Sequence, residues 1–157
     1  GLETLRKSIS IIPQTATILP GTLRDNLSVS GEADDSTCWS ALVLASPSLA
    51  LRFGTLDAEL GVLSEGEKSL LSLARAIVSH RTHNTRLLLL DEATASLDAD
   101  TEARIQDVIR KEFRERGITV VAVAHRLRSL EGFDEVVEMS NGRVLGSSTP
   151  ASAALTR

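Results

Sequence analysis

Four consecutive leucines, Leu87 to Leu90, run into two carboxylates, Asp91 and Glu92. Apolar residues without polar alternation predict a strand buried on both faces, as in a parallel sheet flanked by helices. Ser8–Ile12 is a second, β-branched run, closed by Pro13, which has no amide proton to offer a ladder. Ile118–Ala124 is a third. Within Ser64–Ser79, residues Leu70, Leu73, Ala74, Ile77 and Val78 recur at helical spacing and predict a helix with one apolar face. Ser64 and Glu67 have the S-x-x-E spacing of a capping box, in which each side chain satisfies an amide of the first turn. Asp98 or Asp100 starts another helix reaching Arg116, with Ile105, Val108, Ile109 and Phe113 inward and Gly117 placed to end it. Strand, helix and strand over Leu87–Ala124 form a βαβ unit, which crosses over right-handed.

Between the first strand and the capped helix, Thr15–Val62 has a different pattern. Pro20-Gly21 marks a turn, followed by Thr22–Leu27 and a polar loop through Gly31. Asp34–Thr37 can start a helix that carries Trp39, Leu42 and Val43 inward. Ser46-Pro47 interrupts it, and a second helical stretch runs Ser48–Phe53. The block is a mostly helical insertion into an α/β core. Beyond the third strand, Glu135–Met139 alternates, turns at Asn141-Gly142 and returns through Arg143–Gly146, an antiparallel pair at the sheet edge. Thr149-Pro150 opens a short terminal helix. Leu2–Arg6 shows neither cap nor turn.

Parallel sheets bind ligands outside the carboxyl ends of their strands. Four polar stations fall at or near such ends: Gln14 after the first strand, Asp91 and Glu92 after the second, His125 after the third, and Ser64-Glu65-Gly66 at a helix start. Each has an ordinary structural alternative taken singly. Asp91 could cap a helix, Gln14 could be a solvated loop residue, and Ser64 could serve helix initiation only. Gly66 is the odd feature, since glycine inside a helix costs roughly 1 kcal/mol against alanine. A glycine there suits a ligand that approaches the backbone, and free amides with a helix dipole favour a phosphate.

Composition narrows the classes. The 157 residues carry 17 Lys and Arg against 21 Asp and Glu, a net charge of −4, so no global basic field invites nucleic acid. Aromatics make up 3% and Tyr is absent, which leaves no stacking platform for bases. The single cysteine, Cys38, forbids an internal disulfide and reads as a small buried hydrophobe. No apolar run approaches the ~20 residues of a membrane helix, and no secretory signal is visible.

Taken in order, Gln14, Ser64–Glu67, Asp91-Glu92 and His125 resemble the nucleotide-binding domain of the ATP-binding cassette (ABC) family. Leu63–Glu67 is similar to its signature sequence and Leu87–Glu92 to its Walker B strand. Ser96–Asp98 is similar to its D-loop, Gln14 to its Q-loop glutamine and His125 to its switch histidine. Ile18–Leu27 resembles exporter-type cassettes, particularly the multidrug-resistance-associated branch. The resemblance implies a partial P-loop NTPase-type α/β fold, with residues 1–14 and 80–157 as the core. Residues 15–79 would then be a helical subdomain carrying the signature helix.

It further implies ATP and Mg²⁺ as cofactors. Asp91 would hold the metal through water, with Gln14 completing its shell, and Glu92 would orient or deprotonate the attacking water. His125 would contact the γ-phosphate. Ser64, Glu65 and Gly66 would meet the ATP of a second nucleotide-binding domain in a head-to-tail dimer, with Asp98 at the dimer contact. The helical block would touch transmembrane domains of the same transporter, at the cytoplasmic face of a membrane. A soluble ABC-type ATPase is the alternative, and a truncated product inactive by itself is another.

Two departures stand out. No G-x-x-x-x-G-K-[ST] loop occurs in the chain, and in the family that loop precedes the Q-loop, so it is expected upstream of Gly1. The signature also has Glu65 where glycine is common and Glu67 where glutamine is common. A carboxylate ~7 Å from a phosphate charge costs roughly 2 kcal/mol per unit charge at an effective dielectric of ~20.

Overall fold

A computed structural model describes residues 1–93, 97–124, 130 and 132–153, and the chain divides into two compact units, Gly1–Val123 and Ala124–Arg157. The first unit is built on three parallel strands, β1 (Ile9–Ile12), β2 (Leu87–Asp91) and β3 (Thr119–Val123), in the order β1-β2-β3. The register sets Ile12 beside Leu90, and Asp91 beside Val123. All three strands therefore run out at one edge.

Helix α5 (Glu65–His83) packs on β1. The buried hydroxyl of Ser10 lies 3.2 Å from that of Ser79 on α5 and 3.1 Å from that of Thr85. Three hydroxyls thus satisfy one another at a contact where an unpaired one would cost 1–3 kcal/mol. Leu88 and Leu90 are buried, as is Ile12 in register with Leu90. The other sheet face is open. Leu87 and Leu89 are only half-buried, and Ile11, Val121 and Val123 are 59, 51 and 52% exposed. The expectation of a strand buried on both faces holds for one face only, because among the described residues of this unit no element covers the second and removes it from water.

The helical block begins with a helix absent from the sequence reading, α2 (Leu23–Leu27), preceded by the short exposed helix α1 (Leu2–Lys7). Thr22 and Asp25 form a capping box there, a spacing that was legible in Thr-x-x-Asp. Helices α3 (Asp35–Ala45) and α4 (Pro47–Phe53) follow, capped by the side chains of Asp34 and Ser46. The buried face of α3 is Cys38, Ala41, Leu42 and Ala45, while Trp39 is half-buried and Val43 is exposed. At 100° per residue, a face centred on positions 38, 41, 42 and 45 leaves 39 about 110° away at its margin and 43 about 150° away on the opposite side. The same correction applies on α5, where Leu71 is buried and Leu70 only half so.

Helix α5 is also longer than its periodicity indicated. The polar stretch after Ser79 stays helical to His83 and stops at Asn84, which adopts φ 56° and so ends the helix as glycine usually does. Helix α6 (Ala99–Glu112) is capped by Asp98, and a 3₁₀ turn over Arg114–Arg116 ends at Gly117 with φ 78°. The core where α3, α5 and α6 meet holds Leu42, Leu73, Ile77, Ile109 and Phe113, all nearly inaccessible. Each such side chain contributes ~1.5–3 kcal/mol of transfer free energy. Glu112, 7% exposed, is held between Arg81 at 2.9 Å and Arg116 at 2.9 Å.

In the second unit, strands β4 (Val136–Ser140) and β5 (Arg143–Ser148) form an antiparallel hairpin. Asn141 and Gly142 take φ 48° and 73°, the double positive pair of a type I′ turn. The hairpin is a two-stranded sheet of its own, where the sequence reading expected an edge of the larger sheet. Val137, Met139, Val144 and Leu145 are all exposed, so alternation alone could not assign it a partner face. Helix α7 (Pro150–Ala153) closes the described part. No helix among the described residues is long and apolar enough to cross a membrane.

Candidate functional site

The carboxyl edge of the sheet brings Gln14, Asp91 and Glu92 together. Pro13 ends β1, and Gln14 follows it exposed to solvent. Its Nε2 donates to Glu92 Oε2 at 3.3 Å, a contact between residues 78 apart in sequence. Asp91 is the last residue of β2 and is exposed. Glu92 takes φ 47°, a left-handed backbone rarely adopted by a residue other than Gly, Asn or Asp. Its amide donates to the carbonyl of Val123 at 3.2 Å, which extends the β2–β3 ladder by one bond. Strain of this kind persists where surrounding structure over-determines it, and it concentrates at functional sites.

The donor set is two carboxylates and a carboxamide. Hard divalent cations take such oxygens, and Mg²⁺ is usually bound through one or two carboxylates plus phosphate oxygens of a substrate. No group of three or more His, Cys, Asp or Glu among the described residues could hold a metal ion by itself. The residues therefore fit a cation that arrives with a phosphate, and do not form a closed protein cage.

The second cluster is the start of α5. Ser64 accepts from the Glu67 amide at 3.3 Å, and Glu67 Oε2 accepts from the Ser64 amide at 2.8 Å. Arg52 on α4 adds an ion pair to Glu67 and donates to the Val62 carbonyl at 3.0 Å. The Ser64 amide and the Arg52 guanidinium together hold the Glu67 carboxyl below the usual glutamate range. Glu67 is thus turned into the cap, away from the approach to the helix start. Glu65 pairs with Lys68 at 2.6 Å and remains largely in solvent, which reduces the repulsion its charge would cause. Sequence reasoning identified neither Arg52 nor Lys68, although Lys68 lies at i+3 from Glu65 and was available as a local signal.

Among the described residues, a Cβ built on Gly66 would come no closer than 4.0 Å to any atom outside its own helix turn, the nearest being Leu97 Cδ2. Packing among the described residues therefore does not demand glycine at 66. Asp98, one residue past Leu97, caps α6 by accepting from the Thr101 amide at 2.9 Å and hydroxyl at 2.7 Å, bonds that hold its carboxyl below the usual range. His125 and Ser96 lie outside the described residues.

The sequence profile of the ABC transporter family matches residues 1–95. The chain belongs to the ABC transporter family. It is 43% identical over 151 residues to multidrug resistance protein fer6 of Mycosarcoma maydis, covering 96% of this chain and 11% of that protein. It is 36% identical over 160 residues to ATP-binding cassette sub-family C member 2 of Rattus norvegicus, covering 96% of this chain and 10% of that one. Among solved structures it is similar to a bacterial Atm1-family ABC exporter with ATP bound, with a TM-score of 0.82 and 26% identity over 96% of this chain and 27% of that one. The chain thus spans about a tenth of the length of the curated relatives it matches. Its α/β fold is that of a P-loop NTPase, and the solved structure it resembles is that of an ABC exporter.

Proposed function

We propose that this chain is part of an ATP-binding cassette that, in the complete protein, hydrolyses ATP to drive export across a membrane. The observation that carries the reading is the meeting of Gln14 and Glu92 beside Asp91 at the carboxyl edge of the sheet. Asp91 and Gln14 would hold Mg²⁺ with the nucleotide phosphates, and His125 would contact the γ-phosphate. When bound, the ion supplies charge neutralisation at the phosphoryl group being transferred.

The chain's own residues then act by position. Glu92 holds the attacking water by its carboxylate and accepts its proton, with the left-handed backbone fixing where that carboxylate points. Gln14 orients Glu92 through the hydrogen bond it donates to that carboxylate. Ser64 and Gly66 present the start of α5 to the ATP of a second cassette, Glu65 lies at the rim of that contact, and Asp98 lies beside it. The open sheet face formed by Ile11, Val121 and Val123 suits burial by the part of a cassette that carries the phosphate loop. The helical block meets transmembrane domains, which places the cassette at the cytoplasmic face.

In the complete protein, Glu92→Gln keeps the side-chain shape and removes the charge. Hydrolysis is expected to fall by 10²–10⁴-fold, the usual contribution of a general base, with ATP affinity retained. Steady-state hydrolysis and binding of a fluorescent ATP analogue measure the two. Wild-type turnover in this variant refutes the role of Glu92.

A further inference from the structure

Each carboxylate at the start of α5 has a cation of its own. Glu65 pairs with Lys68 at 2.6 Å, three residues on in the same helix. Glu67 pairs with Arg52, which belongs to α4 and lies 15 residues away in sequence. That guanidinium also donates to the Val62 carbonyl at 3.0 Å, just ahead of Ser64, and sits 5.4 Å from the centre of the Phe53 ring. Both Glu67 oxygens are therefore occupied, Oε1 by Arg52 and Oε2 by the Ser64 amide at 2.8 Å. The formal charges of Arg52, Glu65, Glu67 and Lys68 cancel.

Helix capping does not require this arginine. The N3 position of a capping box takes glutamine as well as glutamate, and glutamine needs no counter-ion. Stability is a weak reason too, because the Arg52 and Glu67 side chains are 44 and 29% exposed and pairs so placed contribute little. The charge of Glu67 matters more to an anion that approaches the helix start. A carboxylate ~7 Å from a phosphate charge, at an effective dielectric of ~20, weakens binding about 50-fold when nothing offsets it. We propose that Arg52 is a positioning residue for the nucleotide of the second cassette: it draws Glu67 into the cap and cancels its charge, so that a signature with a carboxylate there binds ATP as one with an amide would. This rests on the proposed composite site, in which the start of α5 meets that ATP.

The test is steady-state hydrolysis of Mg-ATP by the complete protein and its variants. Arg52→Ala leaves Glu67 uncompensated and should raise KM for ATP by about fivefold or more, with kcat within about threefold. Glu67→Gln keeps the capping box, leaves Arg52 uncompensated, and should lower KM by about twofold or more. The double variant is neutral again and should return to within about twofold of wild type. A merely structural ion pair predicts otherwise, because the double variant lacks the pair as fully as either single one. An unchanged KM in Arg52→Ala, or a raised KM that persists in the double variant, overturns the inference. Should Arg52→Ala not fold, Glu67→Gln decides by sign, and an unchanged or raised KM overturns the inference. Gly66→Asp tests the underlying reading in the same series, since packing among the described residues leaves room for a side chain there. If Gly66→Asp loses hydrolysis while Arg52→Ala behaves as wild type, the composite site stands and the compensation alone fails. If Gly66→Asp hydrolyses normally, the start of α5 meets no nucleotide and the underlying reading fails.

Discussion

Glu92 is held in a conformation that its side chain does not favour, and the cost can be measured. A left-handed backbone costs a residue with a Cβ roughly 1–2 kcal/mol. Glycine escapes that cost but loses ~0.4–1 kcal/mol through the greater freedom of its unfolded chain. Glu92→Gly and Glu92→Ala both delete the hydrogen bond to Gln14, so their difference isolates the backbone at φ 47°. The balance leaves Glu92→Gly more stable than Glu92→Ala by ~0.5–1 kcal/mol. With a urea dependence of about 2 kcal/mol per molar, the midpoint should move up by ~0.3–0.5 M. The assay is urea unfolding of the 157-residue chain followed by fluorescence of Trp39, its single tryptophan, half-buried on α3 in the same unit. A Glu92→Gly midpoint equal to or below that of Glu92→Ala refutes the claim of strain. The expected result would mean that stability is given up at this position to aim a carboxylate, the pattern of a functional site.

Two further predictions concern the chain by itself. His80 has a buried Nδ1 with no hydrogen-bond partner among the described residues, packs against Phe113, and faces the Thr85 backbone and the charges of Arg81, Glu112 and Arg116. Burial, with Arg116 adding to it, holds its pKa below the usual histidine value, so the unfolded chain binds the proton first. Its contribution to stability is complete above about pH 6.5 and is lost as pH falls from there through the folded value. Urea midpoints should decline between pH 7 and 5, and His80→Leu should flatten that decline; an unchanged slope refutes it. Secondly, calorimetry of the 157 residues with Mg-ATP should show no micromolar binding, because the loop that cradles the β- and γ-phosphates does not occur in this sequence; a micromolar Kd contradicts this.

The local features were legible in the sequence. Capping at Ser64, the three strands, the turn at Asn141-Gly142 and the burial of Cys38 each depend on a few neighbouring residues and are found as read, while the structure selects Asp34 within Asp34–Thr37 and Asp98 over Asp100 as the caps of α3 and α6. The polar stations were identified from the same local signals, as residues that follow strands or open a helix.

What escaped the sequence is what depends on distant residues. Leu87 to Leu90 determines a strand, but only the arrangement of helices decides that one of its faces is covered and the other is not. Nothing near Arg75 announces that it will hold the carbonyls of Thr17 and Asn26, 58 and 49 residues away. The same holds for Gln14 and Glu92, whose contact exists because parallel pairing aligns the ends of β1 and β2. Asp91-Glu92 thus ends a strand by its own sequence, and becomes part of a site only when the sheet delivers Gln14 beside it. Hydrophobic period and helix caps are short-range physics and can be read in one dimension. Side-chain convergence requires the chain to close on itself, and that is decided by packing.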